Sequence, residues 1–328
     1  MWTPTLALRG SRQLIPQLSS ARYKGQAGKI GVIGGCAEYT GAPYYAAIAA
    51  LKCGADLSHV FCTRGAAPVI KTFSPELIVH PYLREQSEDD SGDPSATAST
   101  AVQRVEEWLP RLSCLIVGPG LGRDPLVMRV AERIMHKACE LNIPMVVDAD
   151  GLWIWNQDSF DPAPFRATDR TIVLTPNAIE ARRLEARYGS SGAGNLSESL
   201  GGSIVVVRKG PTDEILEGPS VLPNDSEGCL RRCGGQGDIL AGCIATFLSW
   251  GATSTPGGEE EEDARSPSAI EAAHWKSLAA YAGSRVTREA ARRAFCAHGR
   301  AMVSTDLVEE IGPAFSAIFA PEQQEAEP

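Results

Sequence analysis

The chain has 328 residues, of which 43% are hydrophobic and 22% charged, so it can form a full buried core. Its formal net charge of −9 argues against general binding to nucleic acids or anionic membranes, since like charges repel at long range. Glycine and proline make up about a sixth of the residues, less than is typical of low-complexity disorder. No apolar run approaches the ~20 residues of a membrane span.

The nine cysteines are an odd number with irregular spacing, which favours a reducing compartment over a disulfide framework. Cys229, Cys233 and Cys243 are close in the chain, but no fourth ligand follows at zinc-finger spacing. The sequence therefore predicts no metal–cysteine cluster.

The N-terminal segment is basic, and its first acidic residue is Glu38. This composition is similar to that of a mitochondrial presequence, but Pro4 and Pro16 interrupt any long amphipathic helix. We therefore expect a short basic lead-in to the first strand and a cytoplasmic protein. Mitochondrial import through this segment is the alternative.

Further along, the chain alternates between strands, glycine turns and helices. Helices are predicted at 43–53, about 125–141 and about 268–311, and strands at 29–35, 56–62, 77–80, 114–117, 144–148, 171–174 and 204–207. The strand segments are continuously apolar rather than alternating, as in strands covered on both faces. The sequence predicts an α/β fold with a mainly parallel sheet between helix layers. The polar segment 85–99 and the acidic segment 252–268 are expected to be solvated loop insertions in one domain over 1–328.

The strongest local signal is a glycine-rich turn before an apolar helix. Gly234, Gly235, Gln236 and Gly237 precede Asp238, after which the helix continues to about residue 248. Free backbone N–H groups at a helix N-terminus, together with the helix dipole, form an anion site. Asp238 could simply cap that helix. A carboxylate next to a phosphate site is better explained as the base that takes a proton from an attacking hydroxyl.

Three further segments follow strands. The segment 118–122 contains three glycines but differs from a dinucleotide-binding fingerprint, since residue 123 is Arg and residue 119 is Pro. It is either a simple strand-to-helix turn or a turn that lets a ligand approach the backbone. Lys209 and Gly210 could meet a phosphate or belong to a hairpin loop. Asn177 and Glu180 form a capping-box pattern at a strand end where a ligand contact would also fall.

Taken together, these motifs resemble the NAD(P)H-hydrate dehydratases of the ribokinase-like superfamily. The resemblance spans about residues 24–310 and is carried by segments 24–28, 39–44, 74–79, 118–124, 147–152, 174–177, 209–210 and 234–238. It implies a three-layer ribokinase-like sandwich. It also implies a lyase that repairs the S form of hydrated NADH and NADPH (NADHX and NADPHX) by phosphorylating the ring hydroxyl with ATP and eliminating phosphate. A small-molecule kinase of the same superfamily and a non-catalytic nucleotide-binding protein are the alternatives.

The resemblance also implies roles for individual residues. Asp238 would be the base, the turn from Gly234 to Gly237 would hold the transferred phosphoryl group, and Mg²⁺ would screen the phosphates. The ATP site would comprise Lys209, Gly210, Pro211, Thr212, Asp213, Gly228, Cys229, Leu230, Arg231, Arg232 and Cys233. The hydrate site would comprise Ala42, Gly120, Asn177, Ala178, Ile179, Glu180, Ala181, Arg182 and Arg183, together with Asp238. Asparagine at 177 resembles the ATP-using eukaryotic branch, and a separate epimerase would supply the S form.

Overall fold

A nine-stranded sheet runs through the computed structural model in the order β3-β2-β1-β4-β5-β6-β7-β8-β9. The structure describes residues 3–88, 92–189, 195–254 and 274–320. The strands are β1 (Lys29–Ile33), β2 (Leu57–Thr63), β3 (Ile78–Leu83), β4 (Cys114–Val117), β5 (Met145–Val147), β6 (Ile172–Leu174), β7 (Val205–Arg208), β8 (Asp213–Glu217) and β9 (Ser220–Asn224). The pairings from β3 to β7 are all parallel, and β8 and β9 extend the sheet in antiparallel fashion.

Helices cover both faces of this sheet. They are α1 (Pro4–Gln13), α2 (Gly41–Cys53), α3 (Ala66–Phe73), α4 (Pro94–Glu106), α5 (Pro125–Glu140), α6 (Asp150–Trp155), α7 (Ala178–Tyr188), α8 (Leu196–Ser199), α9 (Gln236–Ser254), α10 (Trp275–His298), α11 (Ser304–Glu309) and α12 (Ile311–Phe319). No helix in the described part of the chain is both long and apolar enough to cross a membrane.

The two faces of the sheet carry separate hydrophobic cores. Ile30 and Val32 of β1 pack toward a core formed with α1, α2, α3 and α9 to α12. Ile33 packs on the opposite face, toward a core formed with α4 to α8. Successive side chains of a strand point to opposite faces, so continuously apolar strands supply both cores at once. The predicted three-layer α/β architecture is confirmed.

The strand order changes direction at β1. This strand pairs with β2 on one side and with β4 on the other, both in parallel. In open α/β sheets, ligands bind at the carboxyl ends of the strands next to such a switch point. The segments that leave β1 and β4 there include Ala42, at the start of α2, and Gly120.

The prediction of a loop at 85–99 is wrong for much of this segment. Residues Gln86–Glu88 form a 3₁₀ turn, and α4 begins at Pro94. Asp93 caps α4 by accepting hydrogen bonds from the N–H groups of Ser95 and Ala96. The helix is stabilised by packing of its apolar residues Ala98, Ala101, Val102 and Val105 at helical spacing, a weak pattern among many small polar residues. The second expected insertion covers 252–268. Its residues up to 254 belong to α9, and 255–268 lie outside the described residues.

The N-terminal lead-in is also different from the expectation, because residues 4–13 form α1. Pro4 occupies the first helical turn, where its missing N–H has no intrahelical partner to lose. Thr3 accepts a hydrogen bond from the Leu6 N–H, and the buried Ser11 hydroxyl donates to the Leu278 carbonyl of α10 at 3.1 Å. Proline therefore starts this helix instead of interrupting it.

One smaller difference from the predicted elements is β9, which was not anticipated. Pro223 lies within this strand, and proline is accommodated here because β9 is at the edge of the sheet. All nine cysteines fall within the described ranges, and none of them forms a disulfide.

Candidate active site

Asp238 lies in the first turn of α9, directly after the glycine turn, and is half-buried. Burial raises the pKa of this carboxyl well above its ordinary value, and the Asp148 carboxylate raises it further, while Lys209 acts in the opposite direction. A carboxylate with a raised pKa is a stronger base than an exposed one. The position and the electrostatics of Asp238 are therefore suited to proton abstraction.

A buried ion pair lies beside Asp238. The Lys209 Nζ is 2.8 Å from Asp148 Oδ1, and the Asp148 side chain is almost fully buried. The backbone N–H of Lys209 donates to the Pro176 carbonyl at 2.9 Å, which joins the end of β7 to the end of β6. An added Cβ at Gly237 would lie 3.3 Å from Lys209 Nζ and 3.4 Å from Asp148 Oδ2, so the glycine turn borders this pair.

Lys209 is the central cation of a group of carboxylates. Burial lowers its pKa, but Asp148 and Glu180 outweigh this, so the pKa of Lys209 is raised and it stays charged. Burial raises the pKa of Glu180 in turn. Sequence reasoning anticipated Lys209 and Glu180 as site residues. It did not single out Asp148, although the position directly after β5, next to the switch region, was an available signal.

The turn that carries Asp148 is closely packed. Ala149 has φ 49°, an uncommon backbone conformation for a residue with a side chain. Gly118 lies against this turn: a Cβ at Gly118 would be 1.8 Å from the Asp148 carbonyl oxygen and 2.4 Å from the Gly151 nitrogen. The glycines of 118–122 thus allow two backbones to approach each other, which places Asp148 and Asp150 beside the site.

The Gly234–Gly237 turn is held from outside by α11. The Ser304 hydroxyl donates to the Gly234 carbonyl, and a Cβ at Gly235 would lie 2.7 Å from that hydroxyl and 2.9 Å from Tyr45. The Gln236 side-chain amide donates to the Arg231 carbonyl at 3.0 Å. This amide therefore stabilises the loop, and any contact of Gln236 with a phosphate would come from its backbone N–H.

Arg288 of α10 connects the two segments expected to line the nucleotide. Its guanidinium donates to the carbonyls of Gly210 and Pro211 on one side and to the Ser226 carbonyl, at 2.6 Å, on the other. The Asp213 carboxylate is buried within this turn, where it accepts from the Gly210 N–H at 3.0 Å and from Ser284. Because that carboxylate is occupied, exposed Pro211 and Thr212 are the members of the turn available to a ligand. Nothing in the sequence pattern indicated Arg288.

The second segment expected to line the nucleotide is 228–233. Its residues Leu230 and Arg232 are exposed, whereas Cys229, Arg231 and Cys233 are half-buried. Gln236 Nε2 lies 3.6 Å from Cys229 Sγ and 3.2 Å from Cys233 Sγ, so both thiols pack on the inside of the loop. Gly228 is close to the Arg288 guanidinium.

The segment from Asn177 to Arg183 starts α7 with the predicted capping box. Asn177 Oδ1 accepts from the N–H groups of Ile179 and Glu180, and Glu180 Oε2 accepts from the Asn177 N–H at 2.8 Å. Asn177, Ala178, Ile179, Arg182 and Arg183 are exposed, but Ala181 is buried. The Ala181 side chain thus faces the interior, and its assignment to the hydrate site stays a prediction.

A pocket of about 120 Å³ lies between α6 and α7. It is lined by Arg123, Ala149, Asp150, Leu152, Trp153, Asn156, Glu180 and Arg183. Sequence reasoning had selected only Glu180 and Arg183 from this set. The pocket adjoins the Lys209–Asp148 pair, because Ala149 directly follows Asp148 and Glu180 faces Lys209.

Comparison with known proteins identifies the family and the fold of this chain. The family model of the NAD(P)H-hydrate dehydratases matches residues 30–313. The ATP-dependent (S)-NAD(P)H-hydrate dehydratase of Mus musculus is 45% identical over 317 residues, covering 94% of this chain and 84% of the mouse protein.

Two solved structures share the fold at low sequence identity. A ribokinase-like superfamily protein of Enterococcus faecalis has a TM-score of 0.70 at 18% identity, covering 98% of this chain and 99% of that one. The Bacillus subtilis ADP/ATP-dependent NAD(P)H-hydrate dehydratase, co-crystallised with ATP and Mg²⁺, has a TM-score of 0.66 at 17% identity, covering 97% and 98%. This chain belongs to the NAD(P)H-hydrate dehydratase family, and its fold is ribokinase-like.

Proposed function

We propose that this protein repairs the S forms of NADHX and NADPHX by ATP-dependent dehydration, which yields NADH and NADPH. The observation that carries the proposal is Asp238, a carboxylate of raised pKa in the first turn of α9, beside the glycine turn and the Lys209–Asp148 pair. Family membership supplies the substrate class, since the mouse relative is an ATP-dependent (S)-NAD(P)H-hydrate dehydratase.

The proposed chemistry uses the chain's own groups in sequence. Asp238 takes the proton of the ring hydroxyl as its oxygen attacks the terminal phosphorus of ATP, so that a new O–P bond forms and the bond to ADP breaks. The N–H groups of the glycine turn and the Lys209 ammonium stabilise the charge on the transferred group. Phosphate then leaves with the electrons of the C–O bond. The ring nitrogen assists this departure, and loss of the adjacent carbon-bound proton restores the double bond.

We propose that Mg²⁺ accompanies the nucleotide. Among the described residues, no cluster of three or more His, Cys, Asp or Glu could form a metal cage. The Asp148 and Asp150 carboxylates both raise the pKa of Asp238, so the region around Asp238 carries a negative electrostatic influence. Such a region fits a cation held mostly by phosphates and one or two carboxylates, which is how Mg²⁺ is commonly bound. Bound there, Mg²⁺ would neutralise charge on the phosphates.

We further propose that ATP is a much better co-substrate than ADP, and that a separate epimerase supplies the S form. Both nucleotides must present their terminal phosphoryl group to the same turn next to Asp238. If the adenosine site is placed for ATP, the terminal group of ADP stops about one phosphate short, and ~1 Å of misplacement can cost on the order of 10²-fold in rate.

The test is to mix the protein with enzymatically prepared NADHX, Mg²⁺ and either ATP or ATP-free ADP, and to follow the return of dihydronicotinamide absorbance together with inorganic phosphate. A dehydratase releases one phosphate for each NADH formed. A small-molecule kinase would consume ATP without releasing phosphate, and that result would contradict the proposal. Equal rates with ADP would overturn the nucleotide preference alone.

A further inference from the structure

We propose that Arg123 and Arg183, stacked against Trp153 in the pocket between α6 and α7, bind a phosphate group of the dinucleotide part of the substrate. The inference rests on the proposed function, because it assumes a pyridine dinucleotide in the site. It assigns Arg123 and Trp153 a role that neither the sequence motifs nor the proposed chemistry requires.

The two arginines come together only in the folded chain. Arg123 follows the turn after β4, Arg183 lies on α7, and Trp153 lies on α6. The Arg123 guanidinium carbon is 4.1 Å from the centroid of the Trp153 ring, and that of Arg183 is 5.7 Å away. A guanidinium stacked on an indole is held in place while its N–H groups point outward in its own plane. Trp153 therefore orients two cations at one pocket.

The carboxylates of the pocket are already engaged with other groups. Asp150 Oδ2 accepts from the Gly122 N–H at 3.0 Å, and Asp150 Oδ1 is 3.4 Å from Arg123 Nε. Glu180 is held by the capping box of α7, where it accepts from the Asn177 N–H. Within the described residues, the terminal nitrogens of Arg123 and the whole Arg183 guanidinium have no ion pair or hydrogen bond. The two arginines thus supply unused cationic donors at the pocket, beside the neutral side chain of Asn156.

A phosphate fits this geometry better than a stacked base. The guanidinium of Arg123 already occupies a face of the Trp153 ring at contact distance, whereas its planar N–H edges match phosphate oxygens. The side chain of Arg123 is 58% exposed, so a ligand can reach it from solvent.

The pocket is also well placed relative to the reacting centre. Glu180 and Asp150 both line the pocket, and their charges act on Lys209 and on Asp238 respectively. A dinucleotide whose ring hydroxyl reaches Asp238 could therefore extend a phosphate into this pocket. Two groups share this chemistry: the pyrophosphate, present in both hydrates, and the 2′-phosphate, present only in NADPHX. A phosphate contact that is equally strong in the ground state and in the transition state would lower KM without changing the chemical step.

The first experiment measures direct binding of NADH and NADPH by calorimetry, with the parent and with Arg123→Gln and Arg183→Gln. Each loss of a charge-assisted contact should weaken binding by roughly 10-fold or more. Equal weakening for both dinucleotides assigns the pocket to the pyrophosphate, and weakening for NADPH alone assigns it to the 2′-phosphate. A parent that binds neither dinucleotide, or variants whose affinities stay within twofold, would overturn the inference.

Arg129→Gln is the matched control, since it removes one exposed arginine from α5 outside the pocket. It should leave both affinities unchanged. Kinetic assays separate this inference from the proposed function. If the parent repairs NADHX, the arginine variants should raise the KM for hydrate and leave kcat and the KM for ATP near the parent values. If the parent does not repair NADHX but the variants lose dinucleotide affinity, the proposed function fails while the phosphate subsite stands.

Discussion

At the residue scale, the site consists of one lysine and several carboxylates in a partly buried region of the protein. Lys209 is surrounded by Asp148, Glu180 and Asp238, so one cation compensates several carboxylates. Each of these carboxylates therefore affects the proton affinity of the others. Asp238 is the one placed in the helix turn that borders the glycines, which is the position we propose for the base.

The first prediction is that Asp238→Asn abolishes turnover while the fold and nucleotide affinity persist. Asparagine keeps the size of the side chain and removes the base, and a general base contributes roughly 10²–10⁴-fold. Initial rates with NADHX and ATP measure the effect, and nucleotide binding by calorimetry is the control. A rate within threefold of the parent would remove Asp238 from the role of base.

The second prediction concerns pH. The Asp148 carboxylate raises the pKa of Asp238, so Asp148→Asn should lower it. Asp238 would then stay ionised in more acidic solution, and the acid limb of kcat/KM should move to lower pH. Lys209→Met should move the same limb to higher pH, since Lys209 acts in the opposite direction. A limb that moves the same way in both variants, or in neither, would contradict this electrostatic account.

At the element scale, the position of the Gly234–Gly237 turn depends on how closely α9 packs on α2. A Cβ at Gly242 of α9 would lie 2.3 Å from the Ala46 carbonyl oxygen and 2.9 Å from the Ala49 Cβ. The absence of a side chain at this position lets the two helices approach, and α9 then places its first turn, with Asp238, near the loops after β5 and β7.

The third prediction is that Gly242→Ala destabilises the protein by about 1–3 kcal/mol, because α2 and α9 must separate. Gly312→Ala in α12 is the matched change, since an added Cβ there has no neighbour within 4 Å. It should stabilise the fold by about 0.5–1 kcal/mol, as alanine favours helix over glycine. Chemical denaturation of both variants tests the pair. Similar stability changes in the two would show that helix–helix packing at Gly242 has been misjudged.

At the scale of the whole molecule, stability should depend on a histidine pair far from the site. His59 of β2 and His80 of β3 are buried, and His59 Nδ1 lies 3.0 Å from His80 Nε2. Burial and the neighbouring His59 lower the pKa of His80 to about 4, and burial lowers the pKa of His59 as well. Both side chains are therefore neutral in the folded protein at neutral pH.

The fourth prediction follows from this linkage. A histidine with a lowered folded-state pKa stabilises the fold fully above its unfolded pKa, and this contribution falls as the pH drops toward the folded value. As the pH falls from about 7.5 to 5, His80 alone should lower the free energy of unfolding by about 2 kcal/mol, because its side chain is protonated in the unfolded chain but not in the fold. Urea denaturation should show this loss in the parent and a smaller one in His80→Gln. The half-exposed His298 serves as the control, and His298→Gln should retain the full loss.

The cytoplasmic location and the single domain stay predictions. Ala7 and Ser11 of α1 are buried against the rest of the fold, so residues 4–13 form part of the folded core. Removal of this segment would expose apolar surface of the core.

Sequence alone determined the fold class, nearly every parallel strand, the capping box of α7 and the position of Asp238 next to the glycine turn. These features depend on local patterns: continuous apolar runs, Asn177 three residues before Glu180, and glycines directly before a helix. The conformation of residues 4–13 and 94–99 was missed, because helices with small or polar residues are stabilised mainly by tertiary packing.

Only the tertiary structure decided which charges meet. Asp148 and Lys209 lie on segments far apart in the chain, and their contact depends on the order of β5, β6 and β7 in the sheet. The approach of α9 brings Asp238 within their electrostatic influence. The same is true of Arg288, which joins the two loops of the expected ATP site, and of Arg123 and Arg183 on Trp153. A sequence pattern records spacing along one element, whereas a binding site depends on distances between elements, and packing sets those distances.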